Sequence, residues 1–222
     1  MKQLKFLKQR WQRRLFRIML GLIIFLLLYQ LFLLPGILSW GTTRAEFKRT
    51  LPGDELVLHK GYKNTMAVTV QAPPSQIWPW VAQMGLQKGG FYSYTGLENL
   101  FGCQLHNADR IHPEWQHPQV GYYEGVCQSA VNKNMPGWIV SVVVPNKAFV
   151  WQGVSGDWMM GVYIDSVNAT TSRLITRMLY QSPETYSAAW WLDKVWFEWA
   201  HCVMQWGMIT GIRKRAEGTK SK

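Results

Sequence analysis

Hydrophobic and polar positions along the chain fall into three regimes. From Ile18 to Thr43 no charged residue appears, and "IMLGLIIFLLLYQLFLLPGILSW" is apolar at nearly every position. About 20 such residues cross a bilayer core at ~1.5 Å each, so the pattern predicts a transmembrane helix over 18–40. Pro35-Gly36 falls near its far end, and Trp40 suits the membrane interface. Next comes a regime of short alternating or β-branched runs: Met66–Gln71, Tyr122–Val126, Trp138–Val144, Ala148–Gln152, Trp158–Ile164 and Arg173–Tyr180. Pro145-Asn146-Lys147, Ser155-Gly156-Asp157 and Ser166-Val167-Asn168 separate them with turn chemistry. A short helix opens at Pro73-Pro74 with Ile77, Trp80, Val81 and Met84 on one face, bent by Pro79 and stopped by Gly85. The last regime is helical, from about Tyr186 to Arg215. Leu192, Val195, Trp199, Val203, Trp206 and Thr210 form its apolar stripe, away from Lys194, Glu198, His201 and Gln205. His201 is expected on the solvated side.

The order is strand, short helices, an antiparallel run of strands and one long helix. A meander has one face to cover, and a terminal helix lying in the curve of the sheet covers it. The fold class is therefore α+β, with five segments: a basic stretch 1–17, the membrane helix 18–40, a tether 41–60 with a short helix and broken by Pro52-Gly53-Asp54, a folded domain 61–218 and a tail 219–222. The C-terminal helix is not a second span, because Asp193, Lys194 and Glu198 lie inside it and each costs roughly 2.5–3.5 kcal/mol near a bilayer centre.

The net charge of +11 changes the picture only once it is located. Seven of the basic residues precede Ile18 without an acid among them, and the stretch after Ile212 holds five against Glu217. The body between carries 12 basic and 12 acidic residues, so it offers no cationic groove for nucleic acid. Lys and Arg before the span place the N-terminus in the cytoplasm and the domain on the outer, periplasmic or extracellular, side. The apolar run is long for a cleaved signal, and no small-x-small site follows it. Arg213-Lys214-Arg215, Lys220 and Lys222 are a solvated tail or a contact for anionic headgroups. Among three cysteines, Cys103–Cys127 is a conceivable disulfide, and small buried hydrophobes are the alternative.

The chemistry-bearing residues crowd into Phe91–Trp115, "FYSYTGLENLFGCQLHNADRIHPEW". Thr95-Gly96-Leu97-Glu98 has capping-box spacing. Tyr92, Tyr94 and Glu98 either orient a polar end of an apolar ligand or serve the core and the cap. His106, Asp109, His112, Glu114 and His117 lack any metal-ligand spacing, and no metal or cofactor is expected. Ser93 or Cys103 with His106 and Asp109 supplies residue types for nucleophilic or acid–base chemistry, without a nucleophile elbow.

"APPSQIWPWVAQMGLQKGGFYSYTGLENLFGCQLHNADRIHPEWQ" and "FEWAHCVMQWGMITGIRKRAEG" resemble the START-like, helix-grip (SRPBCC) superfamily, within it the polyketide cyclase/dehydrase-like members, some membrane-anchored. The resemblance covers roughly Gly61 to Gly218. It implies an antiparallel sheet gripping the C-terminal helix around a hydrophobic pocket, and mostly binding rather than catalysis. It transfers no catalytic residue. The expected reading is a membrane-tethered domain that binds an apolar, lipid-like small molecule, with Trp80, Tyr92, Tyr94, Glu98, Trp199 and Trp206 as contacts. The alternatives are a cyclase- or hydrolase-type enzyme using His106 and Asp109, and a non-catalytic structural membrane protein.

Overall fold

The computed structural model describes residues 2–58, 60–100, 104–125, 137–181 and 187–218, with backbone alone for 2–9, 60 and 188–197. The chain forms two compact units, 1–38 and 39–222. Unit one is a helix: α1 (Lys2–Leu28), a π turn (Tyr29–Leu33) and α2 (Leu34–Leu38). The stretch Arg10–Leu38 is long and apolar enough to cross a membrane. Pro35 explains the π turn. It has no N–H to give the preceding turn and its ring crowds the carbonyl four residues back, so the ladder widens, and Leu34 N–H bonds Tyr29 O.

Unit two is α+β. Six strands form one antiparallel sheet in the order β1 (Lys60–Val70), β6 (Thr171–Gln181), β5 (Trp158–Asn168), β4 (Ala148–Gly153), β3 (Trp138–Val144), β2 (Tyr123–Glu124). Pairing the first strand with the last closes the meander around its helices. α4 (Pro74–Ala82) and α6 (Ala188–Ala216) pack on the inner face, which gives the helix-grip arrangement. α3 (Arg44–Lys48) precedes β1, and α5 (Thr95–Leu100) follows α4. Asn146 takes φ +63° in the β3–β4 turn and Gly156 φ +78° in the β4–β5 turn, as their residue types allow. β5 runs on to Asn168, so the last hairpin turns two residues later than its Ser166–Asn168 signal; Asn168 Oδ1 accepts the Thr170 N–H there.

Residues 41–58 of the segment expected as a tether with a short helix do carry one, α3, and are seated on the outer face of the sheet. Trp40 O accepts the Ala67 N–H at 3.0 Å. Thr43 and Glu46 form a reciprocal capping box that starts α3. Leu51 and Val57 pack with Ala67, Val150, Met159, Tyr163, Ile175 and Leu179 in a second core beneath this strap. Arg177 pins it. Fully buried, it donates from Nε to Thr65 Oγ1, from Nη1 to Arg49 O and Asp54 Oδ2, and from Nη2 to Glu46 O and Phe47 O. All five of its N–H groups have an acceptor.

Candidate functional site

Sheet register sets the inner wall in transverse rows. Tyr62, Tyr180, Trp158 and, across Gly153, Trp138 make an aromatic row. Trp158 stacks on Tyr180 at 6.0 Å and meets Trp138 edge-on at 5.2 Å; Phe91 lies 5.1 Å from Trp138. The next row holds Asn64, Met178, Met160, Trp151 and Val140, and the third Met66, Thr176, Val162 and Phe149. Two flexible methionines thus lie between two polar side chains across four strands. Four strands at ~4.8 Å spacing place the Asn64 and Trp151 backbones roughly 14 Å apart.

α6 brings polar groups down onto this wall. Asn64 Nδ2 donates to Cys202 Sγ at 3.2 Å, Tyr62 Oη lies 3.9 Å from the same sulfur, and Gln205 Nε2 donates to Thr176 Oγ1 at 2.8 Å. Glu198, Cys202 and Gln205 are buried, one helical turn apart. Burial first, and Glu198 beside it, push the Cys202 thiol up to about 11 against the lowering hydrogen bonds of Tyr62 and Asn64, which leaves an inert thiol. Tyr62 is pushed above the ordinary phenol range, first by burial and then by Cys202 and Glu198. Burial lowers His201 to about 4, so it is neutral at pH 7. Among the described residues, Asn64 Oδ1, Gln205 Oε1 and Trp151 Nε1 are buried with no hydrogen-bond partner. Each such atom costs about 1–3 kcal/mol unless something fills it.

This reverses the expected faces of α6. Glu198, Cys202 and Gln205, with Ile209 and Ile212, face the sheet, whereas Trp199 and Val203 are exposed. The wall is polar at that level, and the helix matches it. His201 is half-buried instead of solvated.

The residues singled out in the sequence fall in three places. Trp80 and Tyr92 meet edge-on at 5.9 Å beside the Arg215 guanidinium, 4.6 Å from the Tyr92 ring. Tyr92 is buried at φ +58°; its hydroxyl accepts from Gln83 Nε2 and its N–H donates to Asn107 Oδ1. Gln83 also takes the His112 N–H and donates to Arg110 O, and Arg215 Nε donates to Ala108 O. Much of the polar chemistry of 83–116 therefore serves its own backbone, as Asx- and amide-bonded loops do.

Tyr94, Trp199 and Trp206 lie on the outward side. Ser93 Oγ donates to Met204 O at 2.8 Å, and a Cβ at Gly207 would strike Tyr94 and Ser93. One at Gly211 would strike the Tyr92 carbonyl, so the two glycines let the loop ride directly on α6. Glu98, half-buried, has Oε2 without a partner, and burial raises it to about 7. Its N–H bonds Tyr94 O.

His106 and Asp109 are exposed on the loop surface. No cluster of three or more metal-binding side chains occurs among the described residues. Cys103 and Cys127, with any bridge between them, lie outside those residues, as do Lys220 and Lys222. The inner polar row was missed because Asn64 lies in the polar stretch just before the Met66–Gln71 run expected as a strand, whereas β1 begins earlier, at Lys60.

An open groove of about 470 Å³ lies on the outer side, lined by Arg49, Leu51, Val144, Lys147, Tyr163 and Asp165. Arg49 and Asp165 are paired there.

No family model matches the chain, and no curated protein matches it. Solved structures do. The polyketide cyclase-like protein Cgl2372 of Corynebacterium glutamicum is 17% identical over 71% of this chain and 88% of that one, with a TM-score of 0.35. The di-domain ARO/CYC protein BexL of the BE-7585A biosynthetic pathway is 13% identical over 71% and 47%, with a TM-score of 0.41. XoxI of Bacillus cereus is 9% identical over 69% and 94%, also at 0.41. The helix-grip class of this chain is defined by its own sheet order and terminal helix.

Proposed function

We propose that the chain is a membrane-tethered binding domain whose sheet–helix interior takes an apolar small molecule with a hydrogen-bonding end. One observation carries this: two acceptors, Asn64 Oδ1 and Gln205 Oε1, and one donor, Trp151 Nε1, stand buried and unpartnered around a methionine and aromatic wall. A ligand donor at the Asn64–Gln205 end relieves the two acceptors. The apolar body gains roughly 25 cal/mol per Å² buried over Met178 and Met160. Asn64, Thr176 and Trp151 have no exposed surface, so admission requires α6 and the sheet to part. Trp80 and Tyr92 hold the loop that rides on α6. The basic residues before the span argue for an outward-facing domain supplied from the bilayer.

Native mass spectrometry of the full chain, extracted from membranes in mild detergent, tests this. An apolar molecule is expected on the wild type and is reduced several-fold in Asn64→Leu/Gln205→Leu. A wild type with nothing bound, or an unchanged load on the double variant, overturns the reading.

A further inference from the structure

The stripe of α6 that does not face the sheet is apolar without being covered by it. Trp199 is 49% exposed and Val203 37%, and Trp206 follows on the same face. Trp206 meets Trp40 edge-on at 5.6 Å, and Trp40 is itself 53% exposed. Tyr94, packed at Gly207, is 44% exposed, and α5 beside it adds exposed Leu97 and Leu100. Arg213 lies two turns beyond Trp206 on the same side of the helix. A joined aromatic patch of this kind on a folded domain marks an interaction surface.

Covalent geometry names the occupant. Trp40 is two residues past Leu38, the end of the helix fit to cross a membrane. Two residues reach at most about 7 Å. Trp40 O is already bonded to Ala67 N–H, so no slack follows it. Whatever Trp40 touches is held at the depth where the apolar span ends, which is where tryptophan and arginine are most at home in a bilayer.

We propose that the outward face of α6, with Trp40 and Tyr94, seats in the headgroup region of the bilayer. Trp199, Val203 and Trp206 dip toward the acyl boundary, and Arg213 reaches the phosphates. The proposal rests on the membrane-tether reading. It goes beyond it by assigning a second, side-on contact to the folded domain.

The test uses the full chain in nanodiscs, with Cys103 and Cys127 changed to Ala and buried Cys202 retained. A fluorescent label is attached at Val203→Cys, at Ser155→Cys in the β4–β5 turn, or at Leu27→Cys within the span. Discs carry nitroxide on the headgroup or at mid-chain. Headgroup nitroxide is expected to quench the label at 203 several-fold more than that at 155, and mid-chain nitroxide to quench that at 27. A label at Trp199→Cys gives the same ordering if Val203→Cys disturbs the helix. Strong quenching at 27 with 203 no different from 155 overturns the side-on contact alone. No quenching at 27 overturns the tether reading, and this proposal with it. A label at 203 shielded from aqueous iodide but untouched by nitroxide, in discs holding two copies, overturns it in favour of a dimer face.

Discussion

Arg177 on β6 stands opposite Thr65 on β1, and Asn64 is the next residue along, so the two side chains point to opposite faces of one sheet. Both are buried and both are polar. Arg177 has an acceptor for every N–H it carries, and those acceptors hold the strap 43–56 in place. Asn64 spends its amide on a thiol, a weak acceptor, and leaves its carbonyl oxygen empty. A saturated polar network belongs to architecture. An unsaturated one keeps free energy in reserve for something that arrives later.

Breaking the saturated side has the larger effect. Arg177→Leu leaves Asp54 buried without its cation and three strap carbonyls without donors, and is expected to lower stability by about 3–5 kcal/mol. Denaturant unfolding in detergent measures this, and limited proteolysis within 41–58 shows the strap released. A loss below about 1 kcal/mol contradicts the strap's role. Gly211→Ala ranks next, at about 1–3 kcal/mol, because the new methyl meets Tyr92 backbone, which cannot give way as a side chain does. On the unsaturated side the sign reverses. Asn64→Leu removes an orphan acceptor, so stability is unchanged or rises by up to about 1 kcal/mol while the load of bound molecule falls. A clear loss of stability makes Asn64 architectural like Arg177.

The smallest effect is on pH dependence. Burial raises Glu98 from its ordinary 4.5 to about 7, so the folded state favours the protonated acid. Its contribution is full below pH 4.5 and is lost as pH climbs to 7. His201 works the other way: with its folded value lowered to about 4 from 6.5, its share is full above 6.5 and is lost as pH falls toward 4. Melting temperature in Glu98→Gln is expected to lose the decline between pH 5 and 7.5 and to keep the acid limb. An unchanged profile places Glu98 in solvent.

The helix-grip outline was legible because strand periodicity, turn residues and one long terminal helix all point the same way. β3 starts and ends where its β-branched run does, and β4 and β5 differ from theirs only at their ends. What misled was the rule that an apolar stripe faces the core. On α6 the stripe through Trp199 and Val203 faces out, and the polar stripe through Glu198, Cys202 and Gln205 faces in. Periodicity finds two faces but cannot say which neighbour each meets when the sheet itself is polar at Asn64 and Thr176. The strap was hidden for a related reason. Its docking depends on Arg177, more than 120 residues away, and nothing within 41–60 announces that partner.

That separation has a consequence for how the protein is made. The strap leaves the ribosome right after the hydrophobic N-terminal helix, yet its clamp lies on the last strand. Until residue 181 has emerged and β6 has zipped onto β1, Leu51 and Val57 have no sheet to cover and Asp54 has no cation. Residues 43–56 must wait, unseated, through most of translation, and contacts this distant in sequence form slowly. The nascent chain is most exposed to proteases and misassembly at its earliest-made folded part, and that exposure ends with one of the latest-made residues.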